Sequence, residues 1–210
     1  MKFKNFLGEI KRGLKKFWFL LGKDESLKGW IFSVAFIFLF IKFIFFPVLS
    51  LLTGTSLPLA IVESCSMYHK GNFLSNYDKW WDDHESKYLE FEIEKQVFEN
   101  FKFKNGLDKG DILFVIGIKP EKLKVGDVII FNAEQKNPVI HRIIKIENGK
   151  YIFSTIGDNN NGQLEIEKNI NSDEIVGKAF LKIAPYAGWG KLIFYELKRP
   201  ASERGLCRQN

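Results

Sequence analysis

The sequence predicts a mainly β domain carried behind a single transmembrane helix, on three observations. A 23-residue apolar run from Trp30 to Leu52 carries one charge, Lys42. Beyond it the apolar period changes from helical to two. Short β-branched runs then follow one another, separated by Gly, Pro or Asn and without alternating helices, which argues for an all-β sandwich or barrel. The composition agrees. At 210 residues the chain is one domain plus something extra. With 46% hydrophobic and 27% charged residues it is neither disordered nor a bundle of spans. Its two cysteines, Cys65 and Cys207, cannot build a disulfide framework, and no Cys/His pair has zinc-ligand spacing, so neither a metal nor a cofactor is expected.

Residues 1–29 hold eight lysines and arginines against Glu9, Asp24 and Glu25. Phe3, Leu7, Ile10, Leu14, Phe17 and Leu21 recur at three- and four-residue steps, which predicts a basic amphipathic helix on the inner leaflet of the bilayer. Much of the +6 net charge is therefore a membrane feature, and nucleic acid is not an expected partner. Residues 30–52 as a helix span about 34 Å, enough for a hydrocarbon core of about 30 Å. Lys42 costs about 3 kcal/mol on insertion and Pro47 something more, against about 7 kcal/mol returned by Leu, Ile, Phe and Val. No Lys or Arg lies between Thr53 and Tyr68. The positive-inside bias thus predicts a single-pass protein of the cell membrane, with a cytoplasmic N-terminus and an extracytoplasmic domain over 53–199.

In that domain, strands are expected at Leu59–Glu63, Asp111–Ile118, Asp127–Asn132, Val139–Glu147, Lys150–Thr155 and Glu174–Ile183. Asn148-Gly149 and Asn105-Gly106 are two-residue hairpin signals. Tyr77, Trp81, His84, Tyr88, Phe91 and Phe98 fall mostly at helical spacing, so one helix over about 76–100 is expected between strands, its aromatic stripe a packing face. Pro185–Tyr195 is too short to span a bilayer and suits either the headgroup zone or a core strand. The tail over 200–210 looks frayed.

Ser64-Cys65-Ser66-Met67 follows a short strand nine residues after the apolar run, His141 sits in an otherwise apolar strand, and Gly157-Asp158-Asn159-Asn160 ends the next. If Asn148-Gly149 is a two-residue turn, Glu147 pairs with Lys150 and His141 faces Ile156. Asp158 then lies diagonally from His141 on the same face, at a Cβ separation of roughly 7–8 Å. A serine needs a base to attack at neutral pH, and the base needs an orienting acid. On spacing alone, a satisfied strand histidine beside a turn aspartate explains the pair as well.

Taken with Lys109-Gly110-Asp111-Ile112-Leu113-Phe114, Val125-Gly126-Asp127-Val128-Ile129-Ile130-Phe131 and Ile140-His141-Arg142, these blocks resemble type I signal peptidase, in the family's order and over most of 59–183. A His before Arg142, where bacterial members carry Lys, resembles the archaeal and endoplasmic-reticulum type. The resemblance implies a membrane-anchored serine endopeptidase with a largely β catalytic domain that removes signal peptides from exported preproteins, with the secretion translocon as a further partner. It implies Ser66 as nucleophile, His141 as general base, and the Ser66 N–H with the Ser64 hydroxyl as oxyanion donors. It implies Asp158 as the acid that orients His141. Family members often carry a second Asp six residues on, where this chain has Leu164, so Glu165 is the alternative acid; the hairpin count favours Asp158. His69 stands where Pro is common, and the helix over about 76–100 is an insertion. Cys65 could be a reactive thiol, but Ser66 fits the motif better. Two other readings compete: a self-cleaving repressor-type serine protease, which would use a Lys base, and a membrane-tethered β domain that binds a partner without catalysis.

Overall fold

The structure, a computed structural model, describes residues 2–70, 77–133, 137–147, 149 and 151–207. The chain divides into two compact units, Met1–Leu52 and Thr53–Asn210. The first contains helix α1 (Lys2–Gly22) and a long apolar helix. Ser26 caps the latter by accepting from the Gly29 N–H at 3.2 Å. It runs as α2 (Leu27–Phe40), a π-helical turn (Ile41–Phe45) and α3 (Phe46–Thr53). Pro47 explains the wide turn: its ring would collide with the Phe43 carbonyl, and the extra residue lets the backbone pass. At 27 residues and a mean hydropathy of 2.5, this helix is long and apolar enough to cross a membrane. The end of α1 packs on α2, with Phe17 against Phe36 at 5.1 Å and the Ser33 hydroxyl donating to the Leu21 carbonyl.

The second unit is built on a six-stranded antiparallel sheet in the order β1-β2-β6-β3-β4-β5. The strands are β1 (Leu59–Ile61), β2 (Ile112–Ile116), β3 (Val128–Phe131), β4 (Val139–Glu147), β5 (Ile152–Ile156) and β6 (Ile175–Ala184). All six lie where period-two patterning puts them. β3 is central and buried on both faces, so it is apolar at every position: Val128 and Ile130 enter one core with Val62, Met67 and Leu113, while Ile129 and Phe131 enter another with Ile143 and Phe153. Helical content is larger than a mainly β reading suggests, because the N-terminal unit and the insertion contribute it.

Four expectations are corrected. The inserted helix is two, α4 (Tyr77–Leu89) and α5 (Lys95–Phe98), broken where Glu92 takes a positive φ of 60°; Asn76 lies outside the described residues. Their aromatic face, with Trp80, Trp81, Tyr88 and Phe98, packs on Ile144 and Ile156. Asn105-Gly106 makes a local turn, closed by the Gly106 N–H donating to the Phe103 carbonyl, and joins no strands. Pro185–Tyr195 is not a core strand but a turn leading into helix α6 (Trp189–Glu196), on which Ile193, Phe194 and Tyr195 are exposed. The tail is tied down at least to Cys207: Ala201–Glu203 form a 3₁₀ turn and Cys207 is bonded to Cys65.

The β4–β5 hairpin matters most for the site. Glu147 pairs with Ile152, so the connection has four residues rather than two; Asn148 and Lys150 within it lie outside the described residues. A bulge at Ile144 then shifts the register, and Arg142, not His141, sits opposite Ile156. A shift of one residue sends each side chain to the other face. Asp158, two residues past Ile156, is thus diagonal to Arg142.

Candidate active site

Past β1, the chain continues its ladder through the Val62 N–H, which donates to the Asp111 carbonyl at 2.9 Å, and turns at Ser64–Met67. Ser66 Oγ lies 2.8 Å from His141 Nε2 and 3.0 Å from Ser64 Oγ. His141 projects from β4 and is buried. Its other ring nitrogen, Nδ1, meets the carboxylate of Glu167, which is fully buried. With Nδ1 carrying its proton toward Glu167, Nε2 is the free acceptor facing the Ser66 hydroxyl. The second oxygen of Glu167 accepts from the Leu164 N–H at 2.6 Å. A serine, an imidazole and a carboxylate therefore stand in line.

Neither acid named from the sequence occupies the third place. Asp158 is fully buried but faces Arg142, accepting from Nε at 2.9 Å and from Nη2 at 2.6 Å. It also accepts from the Tyr88 hydroxyl at 2.9 Å and from His69 Nε2 at 3.0 Å. Burial pushes this carboxyl up, but the Arg142 guanidinium and the His69 hydrogen bond overcome it and hold it well below the usual carboxylate range. Burial in turn keeps His69 below the ordinary histidine range, opposed by Asp158. Glu165 points out and pairs with Lys168 at 2.6 Å. In the 3₁₀ turn Glu165–Glu167, residues two apart project about 240° apart, which sends Glu165 to solvent and Glu167 inward. Glu167 escaped the sequence reading because no motif or strand period covers it.

The Gly-Asp-Asn-Asn segment acts on the nucleophile by another route. The Asn159 N–H donates to the Ser66 carbonyl at 2.7 Å and its side-chain amide to the Cys65 carbonyl at 3.1 Å. A Cβ on Gly157 would lie 2.9 Å from the Ser66 carbonyl oxygen, so only glycine lets the segment approach this closely. Lys87 and Tyr88 of α4 fasten the same segment from behind, Lys87 Nζ donating to the Asp158 and Asn160 carbonyls at 2.6 and 2.7 Å. Burial draws the Lys87 ammonium down to about 8, against the pull of Asp158 and Glu167. His84, by contrast, only bonds within its own helix, to the Trp80 carbonyl.

Ser66 and His141 open on a cleft of about 620 Å³. Leu59, Ile61 and Glu63 line it from β1 and its extension, and Val139 and Ile140 from β4. Among the described residues β1 ends the sheet and pairs only with β2, leaving one backbone edge without a ladder partner there. Cys65, read as a candidate thiol, is instead bonded to Cys207.

The chain matches the signal peptidase complex catalytic subunit SEC11C of Homo sapiens, Mus musculus and Canis lupus familiaris, each 33% identical over 100 residues. The chain is a homologue of signal peptidase catalytic subunits. The match covers 40% of this chain, and the chain spans about half (48%) of the length of those relatives. No protein-family profile matches it.

Proposed function

We propose that the chain is a membrane-anchored serine endopeptidase that cleaves signal peptides from exported preproteins, with Ser66 as nucleophile, His141 as general base and Glu167 as the acid that orients it. The observation that carries this reading is the line from Ser66 Oγ through His141 to Glu167 at the wall of an open cleft. The Ser66 hydroxyl attacks the scissile carbonyl carbon and passes its proton to His141 Nε2. Glu167 stabilises the imidazolium so formed. The Ser66 N–H and the Ser64 hydroxyl then donate to the oxyanion, each donor worth about 3–4 kcal/mol. His141 returns the proton to the leaving amine, and water, activated by the same imidazole, releases the acyl group from Ser66.

The apolar helix over 27–53 supports a membrane anchor, and the lysines before it support a cytoplasmic N-terminus. The Cys65–Cys207 bond supports an oxidising, extracytoplasmic setting for the second unit.

The test is to incubate the detergent-solubilised protein with a precursor and sequence the new N-terminus. Ser66→Ala should lower cleavage by about 10⁴-fold or more, and Ser64→Ala by about 10²–10³-fold. Near-native cleavage by Ser66→Ala would defeat the assignment, and no cleavage by the unaltered protein would favour a binding domain.

A further inference from the structure

The residue between the two site serines is covalently tied to the end of the chain. Cys65 and Cys207 are 142 residues apart in sequence, and their Cα atoms lie 5.5 Å apart. The segment that brings Cys207 there is built as a strap. Its anchor is Lys109, buried and paired with Glu196 at 2.9 Å, whose Nζ also donates to the Glu203 carbonyl at 2.6 Å. The Gly205 N–H donates to Glu196 Oε2 at 2.6 Å, and Arg204 donates back to the Leu197 and Arg199 carbonyls. Arg199, at the near end, pairs with Glu63 at 2.9 Å, and Arg199 and Glu203 line the cleft that holds Ser66.

The nucleophile turn is thus gripped from two sides. Asn159 holds the Cys65 and Ser66 carbonyls from one. The strap holds Glu63 by an ion pair and Cys65 by a covalent bond from the other. The two holds differ in kind. The Lys109 anchor and the Asn159 hydrogen bonds do not depend on redox state, whereas the grip on Cys65 does. Both sulfurs belong to half-buried residues, and a cavity of about 420 Å³, lined by Tyr68, Lys109, Tyr186, Trp189 and Cys207, gives a small reagent access.

We infer that the Cys65–Cys207 disulfide is a positioning element for Ser66 and makes the site redox-dependent: closed, it holds the turn for attack; opened by a dithiol, it leaves the fold intact and the nucleophile slack. In opening, the dithiol supplies two electrons and two protons, the sulfur–sulfur bond becomes two thiols, and the reagent closes to its own disulfide. Cys207 acts through Cys65 and touches no substrate. A protease so built stays idle on the reducing side of a membrane and gains its rate once its domain reaches an oxidising compartment.

The inference rests on Ser66 as nucleophile, and its test separates the two. Full-length protein in detergent is assayed oxidised, reduced with dithiothreitol, and as Cys207→Ser, for cleavage of a precursor peptide and for hydrogen exchange over residues 64–67. Reduction should lower kcat about 10–100-fold, the cost of a misplaced nucleophile, with KM within about twofold. Exchange at 64–67 should rise while thermal unfolding stays cooperative, and reoxidation should restore the rate. Cys207→Ser should show the low rate and ignore dithiothreitol. A reduced protein, with both thiols free by titration, that keeps the oxidised rate and exchange overturns the inference, as does a change in KM alone or the loss of cooperative unfolding. If the oxidised protein cleaves nothing, the peptidase reading fails, and the exchange arm still decides whether the bridge holds the turn.

Discussion

Two buried carboxylates lie within one segment, and their partners give them different work. Glu167 meets His141, and Asp158 meets Arg142. Glu167→Gln should therefore drop the rate by about 10⁴-fold through a misoriented imidazole, with little loss of stability, because an amide oxygen can still accept from the Leu164 N–H. Asp158→Asn should do the reverse in kind. It leaves Arg142 buried with no full counter-charge, a cost of about 3–5 kcal/mol, or a fall in Tm of roughly 10 °C in a domain of this size. Steady-state kinetics beside a thermal melt separate the two roles, and the opposite pattern would return Asp158 to the base. His69 adds a pH signature to the same cluster. Burial lowers its pKa, so as pH falls below about 6.5 the unfolded chain takes up a proton that the folded one refuses, and stability is lost. Asp158, held below its unfolded value, keeps its contribution above about pH 4 and loses it only on further acidification. Tm measured between pH 7 and 5 should thus fall in the unaltered protein and fall less in His69→Gln; parallel curves for the two proteins would rule His69 out as the source.

At the scale of elements, the strands are legible because each is short, β-branched and bounded by turn residues, and β4 runs from Val139 to Glu147 as its apolar run does. The hairpin register is not legible. Asn-Gly is the strongest short-range turn signal, yet here the connection has four residues, and the bulge at Ile144 has no compositional mark. Ile144 leaves the ladder to enter the aromatic cluster of α4 and α5, so a packing demand from a distant insertion sets which residue faces Asp158. Ser66 and His141, the proposed nucleophile and base, are legible because they belong to blocks of sequence that resemble a family; Glu167, the proposed acid, lies in a 3₁₀ turn beyond the last of those blocks. Substrate selection belongs to this scale too. An extended peptide added along the open edge of β1 presents alternate side chains to the cleft wall. The first and third residues before the cut then share one face, and the resemblance implies that both are small. Placing Phe at each of the first three positions in turn should block cleavage at the first and third and spare the second; equal tolerance at all three would refute binding in this mode.

For the whole molecule, charge, hydropathy and redox chemistry constrain one topology. Seven cations precede the apolar helix and Lys28 lies in its first turn, and none follows it before Lys70. Each would cost more on the outer side than on the inner, which supports the proposed orientation, with the start of the helix in the cytoplasm. The cysteine pair gives an independent line, since it forms a bond of the kind that persists away from cytoplasmic thiols. The two lines can be tested together because they can disagree. Protease added to intact cells should reach the second unit and spare the first 29 residues, and a membrane-impermeant thiol reagent should fail to label Cys65 or Cys207 until a reductant is added. A β domain protected until lysis, with both cysteines labelled only afterwards and without reductant, would place the catalytic unit in the cytoplasm. A protected domain whose cysteines resist labelling even after lysis would instead mean an internal oxidising compartment, with the same orientation of the helix and a different membrane.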